Sequence, residues 1–235
     1  MIASTIVGFK NSGKTTLTLR VAEILKAKGH KAALAKHSAH GFDELPGRDT
    51  TRYQELGVEV AGISDERSFL SWPGKRHLGD LLPLMDADVL VVEGGKPLKW
   101  LPRVILADDA ETAAKLEPEL AIAIYGKAEL PGVPTCATPE EVADAILERG
   151  FTLPGLDCGA CGREDCRGLT ADIVAGRATL ADCAAGNASM RVAINGRTLG
   201  LNPFVADILT GGVMGMLSTL KGFAPGKIEI TIEPK

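Results

Sequence analysis

The sequence predicts an α/β fold: a P-loop domain on a mostly parallel sheet, then a small four-cysteine module and a C-terminal α+β segment. Three observations carry this. Short apolar runs alternate with amphipathic stretches over residues 1–150. Four of the five cysteines fall between Cys158 and Cys183. Beyond Met190, an Asn-Gly hairpin signal precedes one long apolar helical pattern. At 235 residues, 45% hydrophobic and 24% charged, the chain can bury a sizeable core and is too apolar to stay disordered.

In the first part, strands are expected at residues 5–8, 31–36, 58–63, 89–93, 104–107 and 121–125, and helices at 13–28, 49–56, 79–85 and 139–149. Thr138 is placed to cap the last helix. After Gly150, the run Phe-Thr-Leu-Pro-Gly-Leu-Asp reads as a linker, which divides the chain into 1–150, 151–187 and 188–235. In the last segment, residues 190–194 and 197–201 flank Asn195-Gly196 as hairpin arms. Asn202 and Pro203 then open a helix to about Leu220, and 228–232 closes as a strand. Gly211 and Gly215 have the spacing of membrane-helix contacts, but the uncharged run 208–220 falls short of the roughly 20 residues a span needs.

Residues 8–15, Gly-Phe-Lys-Asn-Ser-Gly-Lys-Thr, fit the pattern G-x-x-x-x-G-K-[ST] between an apolar strand and an amphipathic helix. Such a loop turns backbone N–H groups and a helix N-terminus toward phosphates. Lys14 is expected to reach the β/γ oxygens and the Thr15 hydroxyl to ligate Mg²⁺. Gly8, Lys10, Asn11, Ser12, Gly13 and Thr16 complete the expected cradle. Residues 88–95, Asp-Val-Leu-Val-Val-Glu-Gly-Gly, form an apolar strand that delivers Glu93 to its C-terminal end, which makes Glu93 the second candidate for Mg²⁺ or its water. A further loop beyond a strand carries Lys36, His37, His40 and Asp43, followed by Gly47-Arg48-Asp49-Thr50. Charged groups at the mouth of a parallel sheet suit a switch or substrate loop, with Asp49, His37 and His40 as candidates to sense the γ-phosphate or position a partner's substrate.

These elements in this order resemble the molybdopterin-guanine dinucleotide biosynthesis protein B (MobB) family over about residues 1–150. The family pairs its P-loop with a Lys-His-x-x-His segment, a Gly-Lys-Asp-Ser-like segment and a Val-Glu-Gly strand end, which stand here at 36–40, 47–50 and 92–94. The resemblance implies a GTP-binding accessory protein that helps a partner attach a guanine nucleotide to the pterin cofactor of molybdenum or tungsten enzymes. It also implies a homodimer with weak GTPase activity. An Asn-Lys-x-Asp base motif is missing, but Gly126-Lys127-Ala128-Glu129 is a degenerate version in which Glu129 could accept from guanine N1 and N2, or an ordinary turn.

Cys158-x-x-Cys161-x₄-Cys166, then Cys183 after sixteen residues, supplies four thiolates with no nearby His. That donor set suits [4Fe-4S] or structural Zn²⁺, and spacing alone does not separate them. The pattern Cys-Gly-x-Cys-Gly-x-x-x-Cys with Ile173-x-x-Gly176 is similar to the small iron-sulfur domain of corrinoid iron-sulfur proteins and of a subunit of bacterial electron-transport complexes. That resemblance implies [4Fe-4S]. Cys136 reads as a small packed hydrophobe.

A net charge of −4, with no Lys/Arg run longer than two, argues against nucleic acid as a partner. The chain enters its first apolar run with no basic region ahead of it, so no secretory signal and a cytoplasmic location are expected. Two rival classes remain at this level. One is a nucleotide-driven metallochaperone or redox-coupled ATPase; the other is an adaptor that uses nucleotide and cluster only as structural ligands.

Overall fold

The computed structural model describes residues 1–38, 49–187, 190, 192–194, 197–199, 201, 203–224, 226, 228–230 and 232. His40, Asp43, the Gly47-Arg48 pair, Asn195-Gly196 and Asn202 lie outside them. In chain order the elements are β1 (Ile2–Val7), α1 (Lys14–Ala27), β2 (Ala32–His37), α2 (Asp49–Glu55), β3 (Val60–Ile63), β4 (Ser68–Ser71), α3 (Leu78–Leu81), β5 (Val89–Gly94) and β6 (Arg103–Leu106). They continue with α4 (Ala110–Ala114), β7 (Ala121–Tyr125), β8 (Thr135–Cys136), α5 (Pro139–Arg149), α6 (Cys166–Val174), β9 (Val192–Ile194), β10 (Arg197–Leu199) and α7 (Pro203–Leu217).

Six strands form one sheet in the order β2-β5-β1-β6-β7-β8, and every pairing in it is parallel. Parallel strands are covered on both faces, which is why β1, β5 and β6 read as continuous apolar runs. Alternation still sorts the side chains. Ile6, Val89 and Val91 pack with Leu17, Val21 and Leu25 of α1 and with Val142 and Ile146 of α5. Ala3, Leu90 and Val92 face the other way, onto Leu101 and the half-buried Leu98 and Trp100. Each fully buried Leu or Val of α1 contributes about 1.5–3 kcal/mol by leaving water. The predicted cap of α5 is present: the Glu141 N–H donates to Thr138 Oγ1 at 3.2 Å, and Pro139 fills the first turn.

Three expectations change. The strand foreseen at 58–63 exists as β3, but it pairs antiparallel with β4 in a separate ribbon outside the parallel sheet. Ser64 closes that ribbon, its Oγ accepting from the Arg67 N–H at 3.1 Å. The helix at 79–85 is only α3 followed by a 3-10 turn, because Pro83 has no N–H to continue it. Residues 228–230 and 232 belong to no strand, since no neighbouring strand offers them a ladder among the described residues.

The link from β5 to β6, residues 95–102, has no helix and crosses the sheet face over β1. It leaves the C-terminal edge at Gly94 and reaches the N-terminal edge at Arg103. The run after α5 is packed, with Phe151 and Leu153 buried and the Phe151 N–H donating to Ala3 O at 3.0 Å. Phe151 and Leu153 share a cluster with Leu169, Cys183 and Trp100. The cysteine segment therefore seats at the N-terminal edge of the sheet, the opposite end of β1 from the Gly-rich loop.

Candidate functional site

β1 ends into the loop 8–13, where Gly8 passes so close to its neighbours that a Cβ there would lie 2.6 Å from Ser12 Oγ. Asn11 and Gly13 take left-handed turns, φ 62° and 87°, before α1 starts at Lys14. Lys10, Asn11 and Ser12 line the exposed loop, and Thr15 and Thr16 open the helix exposed to solvent. Lys14 curls back so that its ammonium donates to Phe9 O, with Ser12 Oγ at 3.5 Å. Its pKa lies below the ordinary lysine value, chiefly through burial; Glu93 opposes this, and the nearby charges of Lys96 and Lys36 add to it.

The strand period that turns Val89 and Val91 toward α1 turns Glu93 the same way. The Thr15 hydroxyl donates to Glu93 Oε1 at 2.7 Å, and Lys36 Nζ stands 3.6 Å from the same oxygen. Lys36 reaches it because β2 and β5 are in register there, Lys36 opposite Glu93 and His37 opposite Gly94. The structure thus joins Thr15, Glu93, Lys36 and Lys14. Asp49 opens α2 as an exposed residue and is not joined to them. Lys127 and Glu129 are exposed just past β7, on the same sheet edge as the loop, where Gly126 and Ala128 pack on the Ala107 carbonyl.

Sequence reasoning missed Lys96, whose Nζ lies 4.4 Å from the centroid of the Phe9 ring. A lysine two residues past Glu93-Gly94 was the available signal.

At the other end, Cys158, Cys161, Cys166 and Cys183 line one pocket open to solvent, together with Pro154, Leu156 and Leu169. Among the described residues no three His, Cys, Asp or Glu side chains converge closely enough to hold a single ion. The Asp157 N–H points at Cys166 Sγ at 3.4 Å, and the Gly186 N–H at Cys183 Sγ at 3.3 Å. Asp157 also accepts from the Cys166 N–H at 2.9 Å, a contact the spacing did not announce. Burial pushes the Cys166 thiol up to about 11 and raises Cys183 as well. Cys136 is buried beside α5, as expected of a packed hydrophobe.

A parallel sheet with a phosphate loop between its central strand and first helix defines a P-loop NTPase fold. The family model for molybdopterin guanine dinucleotide synthesis protein B (MobB) matches residues 3–125. The chain belongs to the MobB family. A second family model, described as "Putative Fe-S cluster", matches residues 153–185.

The chain is 26% identical over 237 aligned positions to the "Putative molybdopterin-guanine dinucleotide biosynthesis adapter protein" of Methanocaldococcus jannaschii, covering 97% of this chain and 96% of that one. It is 33% identical to the "Probable molybdopterin-guanine dinucleotide biosynthesis adapter protein" of Bacillus subtilis, over 53% of this chain and 76% of the relative. The crystal structure of Bacillus subtilis MobB superposes with a TM-score of 0.53 at 26% identity, covering 64% of this chain and 99% of the other.

Proposed function

We propose that this protein binds guanine nucleotide as an accessory factor in the assembly of the guanine-dinucleotide form of the molybdenum or tungsten pterin cofactor, and that it carries a [4Fe-4S] cluster. Its partner in this reading is the enzyme that attaches the guanine nucleotide to the pterin, or the molybdo- or tungstoenzyme that receives it. The observation that carries the nucleotide half is the Thr15–Glu93 hydrogen bond beneath the loop. It couples the two groups that a P-loop uses to hold Mg²⁺ or its water. Lys14, released from the Phe9 carbonyl, would bind the phosphates together with the loop amides of residues 8–13. His37, His40 and Asp49 are assigned to the γ-phosphate or to the partner's substrate, and Glu129 with Lys127 to the base.

The cysteine half rests on four thiols that line one pocket and on the match of residues 153–185 to the model described as "Putative Fe-S cluster". Four thiolates with no histidine suit [4Fe-4S] or structural Zn²⁺, and the likeness to Fe-S domains favours the first. Backbone N–H groups aimed at Cys166 and Cys183 Sγ are donors of the kind that tune such clusters. The cluster would supply redox or structural chemistry. The protein's own part is the thiolates, the amides and the apolar wall. By the same reading the chain works in the cytoplasm as a homodimer, with residues 1–150, 151–187 and 188–235 as its functional units.

The test is direct binding of GTP and ATP with Mg²⁺ to anaerobically purified protein. GTP is expected to bind more tightly, and Glu129→Ala to erase the difference. Preference for ATP would overturn the cofactor-assembly reading. Colourless protein with stoichiometric zinc would overturn the cluster.

A further inference from the structure

The phosphate loop and the cysteine cavity lie at opposite ends of β1, yet one covalent segment touches both. Residue 96 starts that segment at the phosphate loop, with Lys96 Nζ over the Phe9 ring at 4.4 Å. Its far end, Trp100 and Arg103, meets the cysteine segment. Gly155, between the wall residues Pro154 and Leu156, lies against the Trp100 indole: a Cβ there would be 2.9 Å from three ring atoms. The Leu153 N–H donates to Trp100 O at 3.4 Å.

The second connection is ionic. Arg103 is 1% exposed, and its Nη2 donates to the Lys96 carbonyl at 3.3 Å. Its Nη1 donates to Leu116 O at 3.1 Å and to Glu117 Oε2 at 2.9 Å. The other oxygen of Glu117 accepts from Lys99 Nζ at 2.9 Å and from Arg167 Nε at 3.2 Å. Arg167 follows Cys166 in the first turn of α6. Glu117 itself sits in a left-handed turn, φ 53°, held there by these contacts. Three cationic groups, Lys99, Arg103 and Arg167, and the carboxylates of Glu117 and Glu119, which also pairs with Arg167, therefore tie the Lys96 carbonyl to the helix that presents a cysteine.

We infer that phosphate bound at the loop is taken up by Lys96 and reported to the cysteine cavity through residues 95–103 and the Arg103–Glu117–Arg167 contacts. Lys96 is then a nucleotide-contacting residue, and Glu117 a positioning residue for the cavity. The inference rests on the nucleotide reading given above. Bound phosphate would offer Lys96 a second partner besides the Phe9 ring. For an ammonium at an exposed site the ring is the weaker of the two, so phosphate draws the side chain away. The Lys96 carbonyl is fixed to a buried guanidinium, so a shift at residue 96 strains or relieves the Arg103–Glu117 contact. A two-state element that both sites bias is what coupling between distant sites requires.

The experiment is hydrogen–deuterium exchange on the cluster-bearing protein, with and without Mg²⁺ and a non-hydrolysable guanine nucleotide, alongside calorimetric affinity and the rate of iron release to a chelator. In the wild type, nucleotide is expected to protect residues 95–103 and 153–168 and to slow iron release at least about fivefold. Lys96→Ala is expected to weaken binding and lose both effects. In Glu117→Gln, and independently in Arg167→Gln, nucleotide is expected to protect 95–103 but no longer 153–168. Wild-type protection confined to the loop and 95–103, or unchanged iron release with nucleotide bound, overturns the coupling and leaves the nucleotide reading standing. Failure of the wild type to bind any nucleotide takes down that reading first, and this inference with it.

Discussion

The two ends of the sheet are built from opposite materials. At the C-terminal edge, Lys14 and Lys36 flank Glu93 beside an exposed loop, with Lys96 over Phe9 of that loop, an arrangement that suits a charged ligand. At the N-terminal edge, partly buried thiols share an apolar pocket lined by Leu169 and Pro154, with ion pairs on the helix that carries Cys166. The difference teaches that the two ends of β1 differ in kind, so under the proposed function each ligand should be removable without destroying the site of the other.

The largest expected effect tests that separation from the cysteine side. Cys166→Ser should lose essentially all bound iron by elemental analysis, while nucleotide affinity by calorimetry changes by no more than about tenfold. Collapse of nucleotide binding would mean that the two ends fold as one site. Next, Lys14→Ala should weaken nucleotide binding by about 100-fold, the worth of a charge-assisted phosphate contact, with iron content unchanged.

The smallest effect concerns the brace between the ends. Burial raises the pKa of Glu117, but the hydrogen bond from Lys99 and the charges of Arg103 and Arg167 outweigh it, so the net shift is downward from 4.5. A carboxylate depressed on folding contributes stability that is fully present above its unfolded pKa and is lost as pH falls through the folded one. Wild-type protein should therefore lose about 1 kcal/mol of stability on acidification below pH 4.5 that Glu117→Gln, already less stable near neutral pH, does not lose. Thermal melts at pH 6 and pH 3 check this, and parallel losses in the two proteins would discharge Glu117 from the role.

What was legible in the sequence was what is encoded locally. The loop motif marks the strand before it and the helix after it, and the apolar run 89–92 already delivered Glu93 to the C-terminal end of a strand. The cysteine spacing marked the cavity. What stayed hidden depends on distant partners. Arg167 and Glu117 are 50 residues apart, and nothing near either predicts the other. Residues 95–102 have neither helical nor strand period, so their passage across the sheet had no signature. β3 looked like a sheet strand because its apolar run is real, but Ser64 folds it onto β4 instead.

The helix-free crossover also bears on the protein's ancestry. A helix over β1 would have covered that face unaided. With only residues 95–102 there, Trp100 has Leu153 and Gly155 as neighbours, and loss of the cysteine segment would leave its indole without that cover. A gain of the cysteine segment in evolution would thus have been more than an appendage, because the host surface and the newcomer now complete each other, and deletion would demand a replacement lid.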